Sequence, residues 1–172
     1  MILIPSWVSD KVKPRGTNMA VDSSQIKSDI WNIFKTLIKA NATSVTIQGS
    51  GGANTKMITC TKFSQSYPDT IFDTESNYPM VIINSPEYTS TPTTFQDREL
   101  DVRMSFEVYT TQSESADKFI DLITATIINN EDNLREDGIF EVEVDSTDSN
   151  HYDRNKISVH SRMVTFRMKV EI

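Results

Sequence analysis

The stretch Arg98–Thr110, RELDVRMSFEVYT, alternates without a break. Leu100, Val102, Met104, Phe106 and Val108 share one parity, and Glu99, Asp101, Arg103, Ser105 and Glu107 share the other. A period of two sends these sets to opposite faces of a β-strand, one for a core and one for water or a partner. Such a strand belongs in a sheet with one covered face, which is an antiparallel habit. The rest of the chain must supply the cover.

Two segments have the period to do so. Over residues 23–40, Ile26, Ile30, Ile33, Phe34, Leu37 and Ile38 form one stripe of a 3.6-residue repeat. Asp22 or Ser23 suits its start as a cap. Asn41 suits its end, because asparagine tolerates the left-handed conformation. Trp31 lies beside the stripe and reads as core edge rather than as a ligand stacker. A second helix is expected over 114–129, with Ala116, Phe119, Ile120, Ile123 and Ile127 on one face. TQSE, Thr111 to Glu114, fits a capping box before it, and NNEDNLREDG reads as the turn that closes it.

The remaining pieces are β-prone. Ser44–Gln48 and Lys56–Phe63 form a hairpin around GSGGANT. That glycine-rich tip lacks the GK[ST] ending of a phosphate-binding loop and leads into a strand, so it is no phosphate cradle. Tyr78-Pro79 opens Met80–Ile83, a continuous apolar run that implies burial on both faces. Residues 84–97 form a long polar loop, the kind that often carries function. Phe140, Val142 and Val144 alternate with Glu141, Glu143 and Asp145, and STDSNHYDRN reads as a polar turn. The last strand, 156–172, keeps odd parity at Ile157 and Val159 and even parity from Val164 to Ile172, which predicts a bulge near His160–Met163. The class is α+β: an antiparallel (mixed) sheet with two amphipathic helices on one face. Residues 1–20 show no period and read as an extended arm. Its Ile2, Leu3, Ile4 and Trp7 must bury on the domain itself or on a neighbouring subunit. The 172 residues suit one further domain, 21–172.

Composition removes several functions. A net charge of −7 disfavours binding through phosphates, and Lys11, Lys13 and Arg15 read as a solvated loop. The single cysteine, Cys60, excludes an internal disulfide and reads as a small buried side chain rather than a nucleophile. His151 and His160, with Asp148 and Asp153 nearby, lack the spacing of a metal site and read as solvated. GxSxG is absent, and no set of residues with catalytic roles can be assembled. No enzyme, metal or cofactor is expected. MILIPSWVSD is too short for a signal peptide, and no apolar run nears the roughly 20 residues that span a bilayer, so a soluble chain that is not exported by a signal peptide is expected. What remains is surface. Glu99, Asp101, Arg103, Glu107 and Tyr109 on one strand are matched by a similar face on the last strand, carrying Thr165, Arg167, Lys169 and Glu171. Charges of both signs interleave, as cross-strand or subunit pairs would.

The order of these elements, with the stretches YPMVII, RELDVRMSFEVYT and SESADKFIDLITATI, resembles the tail terminator and tail completion proteins of long-tailed bacteriophages, the lambda-type tail terminator group. The resemblance covers residues 22–172. It implies a homo-oligomeric ring of about six copies at the head-proximal end of a tail tube, which ends tube polymerisation and joins tail to head. Its implied partners are the tail tube protein and a head–tail connector or stopper protein. Genomic DNA would pass through without specific binding, and no membrane or cofactor is involved. The chain would reside in the virion and, during assembly, in the host cytoplasm. The charged side of the central strand would then face the lumen or a neighbour. Glu87, Tyr88 and Phe95 of the long loop and the arm's apolar residues would be subunit contacts. The alternatives are a head-completion or neck adaptor on the portal side, and a cytoplasmic α+β binding module.

Overall fold

The computed structural model describes residues 23–49, 52, 54–66, 78–88, 99–154 and 157–171. The expectations for the 1–20 arm, for Phe95 and for the cap at Asp22 or Ser23 lie outside the side chains so described. The elements are α1 (Ser23–Asn41), β1 (Ser44–Gln48), β2 (Thr55–Thr59), β3 (Lys62–Ser64), β4 (Met80–Ile83), β5 (Glu87–Tyr88), β6 (Glu99–Thr110), α2 (Ser113–Asn129), α3 (Glu131–Glu136), β7 (Ile139–Arg154) and β8 (Ile157–Glu171). The fold is α+β. Six strands form one sheet in the order β3-β4-β6-β8-β7, with β5 also paired to β6. It is mixed: β3 runs parallel to β4 and every other pairing is antiparallel. β1 and β2 make the expected hairpin as a sheet of their own. The expected second strand, Lys56–Phe63, is therefore two strands in two sheets. The break falls after Thr59: the Cys60 N–H still reaches the Thr43 carbonyl at 2.7 Å, and the chain then crosses to lie beside β4.

The alternation in β6 does what its period requires. Leu100, Val102, Met104, Phe106 and Val108 are 0–1% exposed. They pack under Ile30, Phe34 and Ile38 of α1 and Phe119, Ile120, Ile123 and Ile127 of α2, with Val164, Phe166, Met168 and Val170 of β8 beside them. Phe106 sits edge-to-face against Phe34 (5.6 Å) and Phe166 (5.8 Å). Burying a side chain of this size contributes about 1.5–3 kcal/mol, so this layer dominates stability. The two long helices cover the same face, as expected.

Several local expectations are overturned. NNEDNLREDG is a third helix, α3, because Leu134 (2% exposed) gives it an apolar anchor; the left-handed Gly138, φ 81°, then stops it. α2 starts after Gln112 with no side-chain cap, and Glu114 does not fold back as a capping box would. Its carboxylate is taken instead by Lys118 (3.0 Å) and the Gln48 N–H (3.3 Å). α1 does end at Asn41. The Asn41 side chain donates to the Leu37 carbonyl at 2.9 Å, and no left-handed residue is involved.

Of STDSNHYDRN, the residues from Ser146 to Arg154 are strand rather than turn. β7 continues through it to Arg154, laddered to β8 through pairs such as Asp148↔Met163 and Tyr152↔Val159. Nor does β8 bulge near His160–Met163: its register with β6 runs from Glu99↔Glu171 to Thr110↔His160 without a shift. The shifts lie in β7, around Glu141–Val142 and Asp145, with Glu141 at φ 52°. The change of parity has another cause. Met80, Ile82, Tyr109 and Val159, with Ile157 and Tyr78, form a second apolar cluster on the face away from the helices. β8 serves one core at its C-terminal end and the other at its start. β4, caught between both, is buried at all four residues, as expected.

Candidate functional site

The face of the sheet away from the helices gathers the residues that the alternation singles out. Across β6 and β8 the opposed pairs are Glu99/Glu171, Asp101/Lys169, Arg103/Arg167, Ser105/Thr165, Glu107/Met163 and Tyr109/Ser161. Glu87 of β5 faces Arg103 from one side and Glu143 of β7 faces Arg167 from the other. One row thus reads acid, base, base, acid. Two like charges side by side repel, and the flanking carboxylates offset this. Arg103 pairs with Asp145 at 3.0 Å and Lys169 with Glu141 at 2.8 Å. The hydrogen bond and charge of Glu141 raise the Lys169 ammonium above its usual pKa. Nearer the apolar cluster the pairs are neutral or half-neutral: Ser105 and Thr165 hydroxyls lie 2.8 Å apart, and Ser161 donates to Glu107 at 3.2 Å. So Glu99, Asp101, Arg103, Glu107, Arg167 and Lys169 do share one face. Much of its charge is matched within the chain. Exposed pairs of this kind contribute about 0–1 kcal/mol each, which makes them a surface pattern more than a stabilising device.

The described part of the long loop, 84–88, contains a short strand. Glu87 and Tyr88 form β5 against Arg103 and Val102. Tyr88 is half-buried, and Lys27 of α1 lies 4.9 Å above its ring. Trp31 packs on the core edge, donating from Nε1 to the Ile83 carbonyl at 2.7 Å.

The histidines do meet. His151 and His160 are cross-strand partners, rings 4.6 Å apart. Ser158 Oγ lies 2.8 Å and Asp153 Oδ1 3.1 Å from His151, but both approach the same nitrogen, Nε2. A serine–histidine–aspartate relay needs one ring nitrogen for each partner, so this cluster cannot activate Ser158 that way. Among the described residues no three His, Cys, Asp or Glu side chains converge on a metal position. Cys60 is buried, and that burial pushes its thiol up to about 11, which keeps it protonated and a poor nucleophile. What this face presents, among the described residues, is charge and hydroxyl groups in cross-strand rows.

Two lateral features escape the sequence reading. Lys27, Lys35 and Lys39 of α1 lie over Tyr88 (4.9 Å), Trp31 (4.3 Å) and Phe63 (5.8 Å), which fixes their ammonium groups along one side of the molecule. Their spacing in α1 is a visible signal, although their aromatic partners come from three elements. The other feature is β7, where every residue from Glu143 to Asp153 is exposed. Among the described residues no helix is long and apolar enough to cross a membrane. No protein-family model matches the chain, and no curated protein matches it.

Proposed function

We propose that this protein is a structural virion component. It assembles as a ring of its own copies at the head-proximal end of a phage tail tube, where it ends polymerisation and joins the tail to the head. The observation that carries this reading is the element order. A helix leads to a hairpin, and an aromatic–proline pair leads to a strand buried on both faces. A long alternating strand then runs into a helix after only two residues, and two long strands close the fold. This is the layout that the sequence resemblance to tail terminators implies. The charged face supports it as well: a surface of matched ion pairs on a chain of net charge −7 would not hold DNA moving past it. The partners on this reading are the tail tube protein and the head–tail connector or stopper protein, with residence in the virion.

The test is a tube-assembly assay. Purified protein is added to polymerising tail tube protein and tube lengths are read by negative-stain microscopy. Capped tubes carrying a ring at one end are expected. Tubes whose lengths ignore the protein would sink the reading, and capture of a portal-bound connector instead would move the protein to the neck.

A further inference from the structure

We infer that the outer edge of β7 in one copy docks against the α1–β3 side of the next copy, acid to base. The inference rests on the ring reading and names the surfaces that close it. β7 is the last strand of the sheet, so its outer main-chain edge pairs with no described strand. It is long, with 16 residues, and exposed on both faces from Glu143 to Asp153. A long uncovered edge is a template for another chain, and isolated proteins usually blunt it. Among the described residues, charge is what guards it. β7 carries five carboxylates against one arginine; among the described residues Glu141 and Asp145 are drawn into salt bridges with Lys169 and Arg103, and Asp153 lies 3.1 Å from His151 Nε2. Glu143 lies across from Arg167, so Asp148 and Asp153, which face no cation of lysine or arginine type in the ladder, give the outer half of this edge its acidic sign.

That charge decides the partner. Pairing β7 with its own copy would set carboxylate against carboxylate, and like charges in register destabilise a strand pair. The contact must therefore be to a different surface of the second copy. The opposite end of the same sheet supplies it. There β3 is the edge strand, exposed at Lys62, and Lys39 of α1 lies over Phe63 of β3. Lys35 follows along α1, held over Trp31. Ammonium groups already fixed over aromatic rings lose less freedom on meeting a carboxylate. Acid at one end of the sheet and base at the other make a head-to-tail contact, and such contacts close rings.

Charge reversal tests this directly. One variant carries Asp148→Lys and Asp153→Lys; another carries Lys39→Glu and Lys62→Glu. All four positions are exposed. Mass is read by light scattering, alone and with the tail tube protein present. Each variant alone should associate at least about tenfold more weakly than wild type, in line with the loss of matched interfacial charge pairs. An equal mixture should recover assembly, because the basic edge of one variant meets the acidic side of the other. Recovery on mixing requires folded chains, so it separates a broken contact from a broken fold. If either variant assembles like wild type, or if the mixture does not recover, the contact is wrong. A wild-type chain that stays monomeric even on tubes overturns the contact and the ring together. Recovery on mixing without tube capping would leave the contact standing and remove the tail-terminator reading.

Discussion

β6 and β7 are both long strands on the same sheet, and β8 pairs with each of them. β6 lies near the middle, with five core side chains at 0–1% exposure on one face and graded charges on the other. β7 lies at the edge, and every residue from Glu143 to Asp153 is exposed. The main-chain ladder is common to both, so it cannot be what separates them. Hydrogen bonds to a neighbour make a strand, whereas burial makes it stable and makes its sequence recognisable. The outer half of β7 should therefore open far more readily than β6, since local opening tracks the loss of few buried contacts.

The widest gap comes from a truncation in each strand. Phe106→Ala removes the ring that touches Phe34 and Phe166, and it should cost about 3–5 kcal/mol in urea unfolding. Tyr152→Ala, on the exposed part of β7, should change the isolated chain by less than about 0.5 kcal/mol. A large loss at Tyr152 would mean that β7 is covered even in a single copy. Ion pairs sharpen the same contrast at smaller scale. Arg162 of β8 binds Asp117 and donates to Ser113 Oγ of α2 at 2.9 Å, and its side chain is 22% exposed. Arg103, bound to Asp145 of β7, is 46% exposed. A double-mutant cycle should give about 1–2 kcal/mol for Arg162–Asp117 and under about 0.5 kcal/mol for Arg103–Asp145. Equal coupling would remove the distinction between a covered and an edge contact. Smaller again is Gly138→Ala at the mouth of β7. A Cβ there finds room, 3.6 Å from Glu171 Cβ, so only the left-handed φ of 81° is strained. About 1 kcal/mol of destabilisation is expected by thermal melting, and no loss would mean that the start of β7 relaxes freely.

The same contrast explains what could be read from the sequence. β6, α1 and α2 announce themselves because a core imposes a period on them, and β4 because burial on both faces makes it continuously apolar. Ile30, Phe34 and Ile38 repeat as a helix does, and Leu100 to Val108 repeat as a strand does. The second half of β7 has no period, because its side chains are exposed on both faces; Ser146–Arg154 looks like turn chemistry and is held straight by its ladder to β8. The change of parity in β8 was visible, but one strand crossing between two cores looks the same as a bulge until Met80, Ile82 and Tyr109 are known to lie beside Val159. Of the candidate surface, the charged residues of β6 and β8 were legible through alternation. The row Glu87, Arg103, Arg167, Glu143 was not, because register between distant strands leaves no local trace. The lysines of α1 were visible as charges, but the aromatic rings that order two of them come from β5 and β3.

The smallest effect concerns the point where the two strands meet through β8. His160 pairs with Thr110 of β6 on one side and His151 of β7 on the other. Burial first, then the charges of His151 and Arg162, hold its pKa below the ordinary histidine value, while Asp117 and Asp153 pull the other way. A histidine with a depressed pKa binds fewer protons folded than unfolded at any pH between its two values, so stability rises with pH across that interval. Above the unfolded value of about 6.5 neither state holds the proton and no penalty exists. As pH falls through about 6.5 the unfolded chain takes up the proton first, and stability declines until the folded value is passed. The melting temperature of the wild type should therefore drop on going from about pH 7.5 to about pH 5.5, a range in which histidine is the side chain that titrates. His160→Gln should flatten that drop. The carboxylate of Glu114, lowered by Lys118 and the Gln48 N–H, acts at more acidic pH and leaves this interval clear. If the variant and the wild type decline in parallel, His160 does not carry the pH dependence, and its place between β6 and β7 does not set the stability of the sheet in this range.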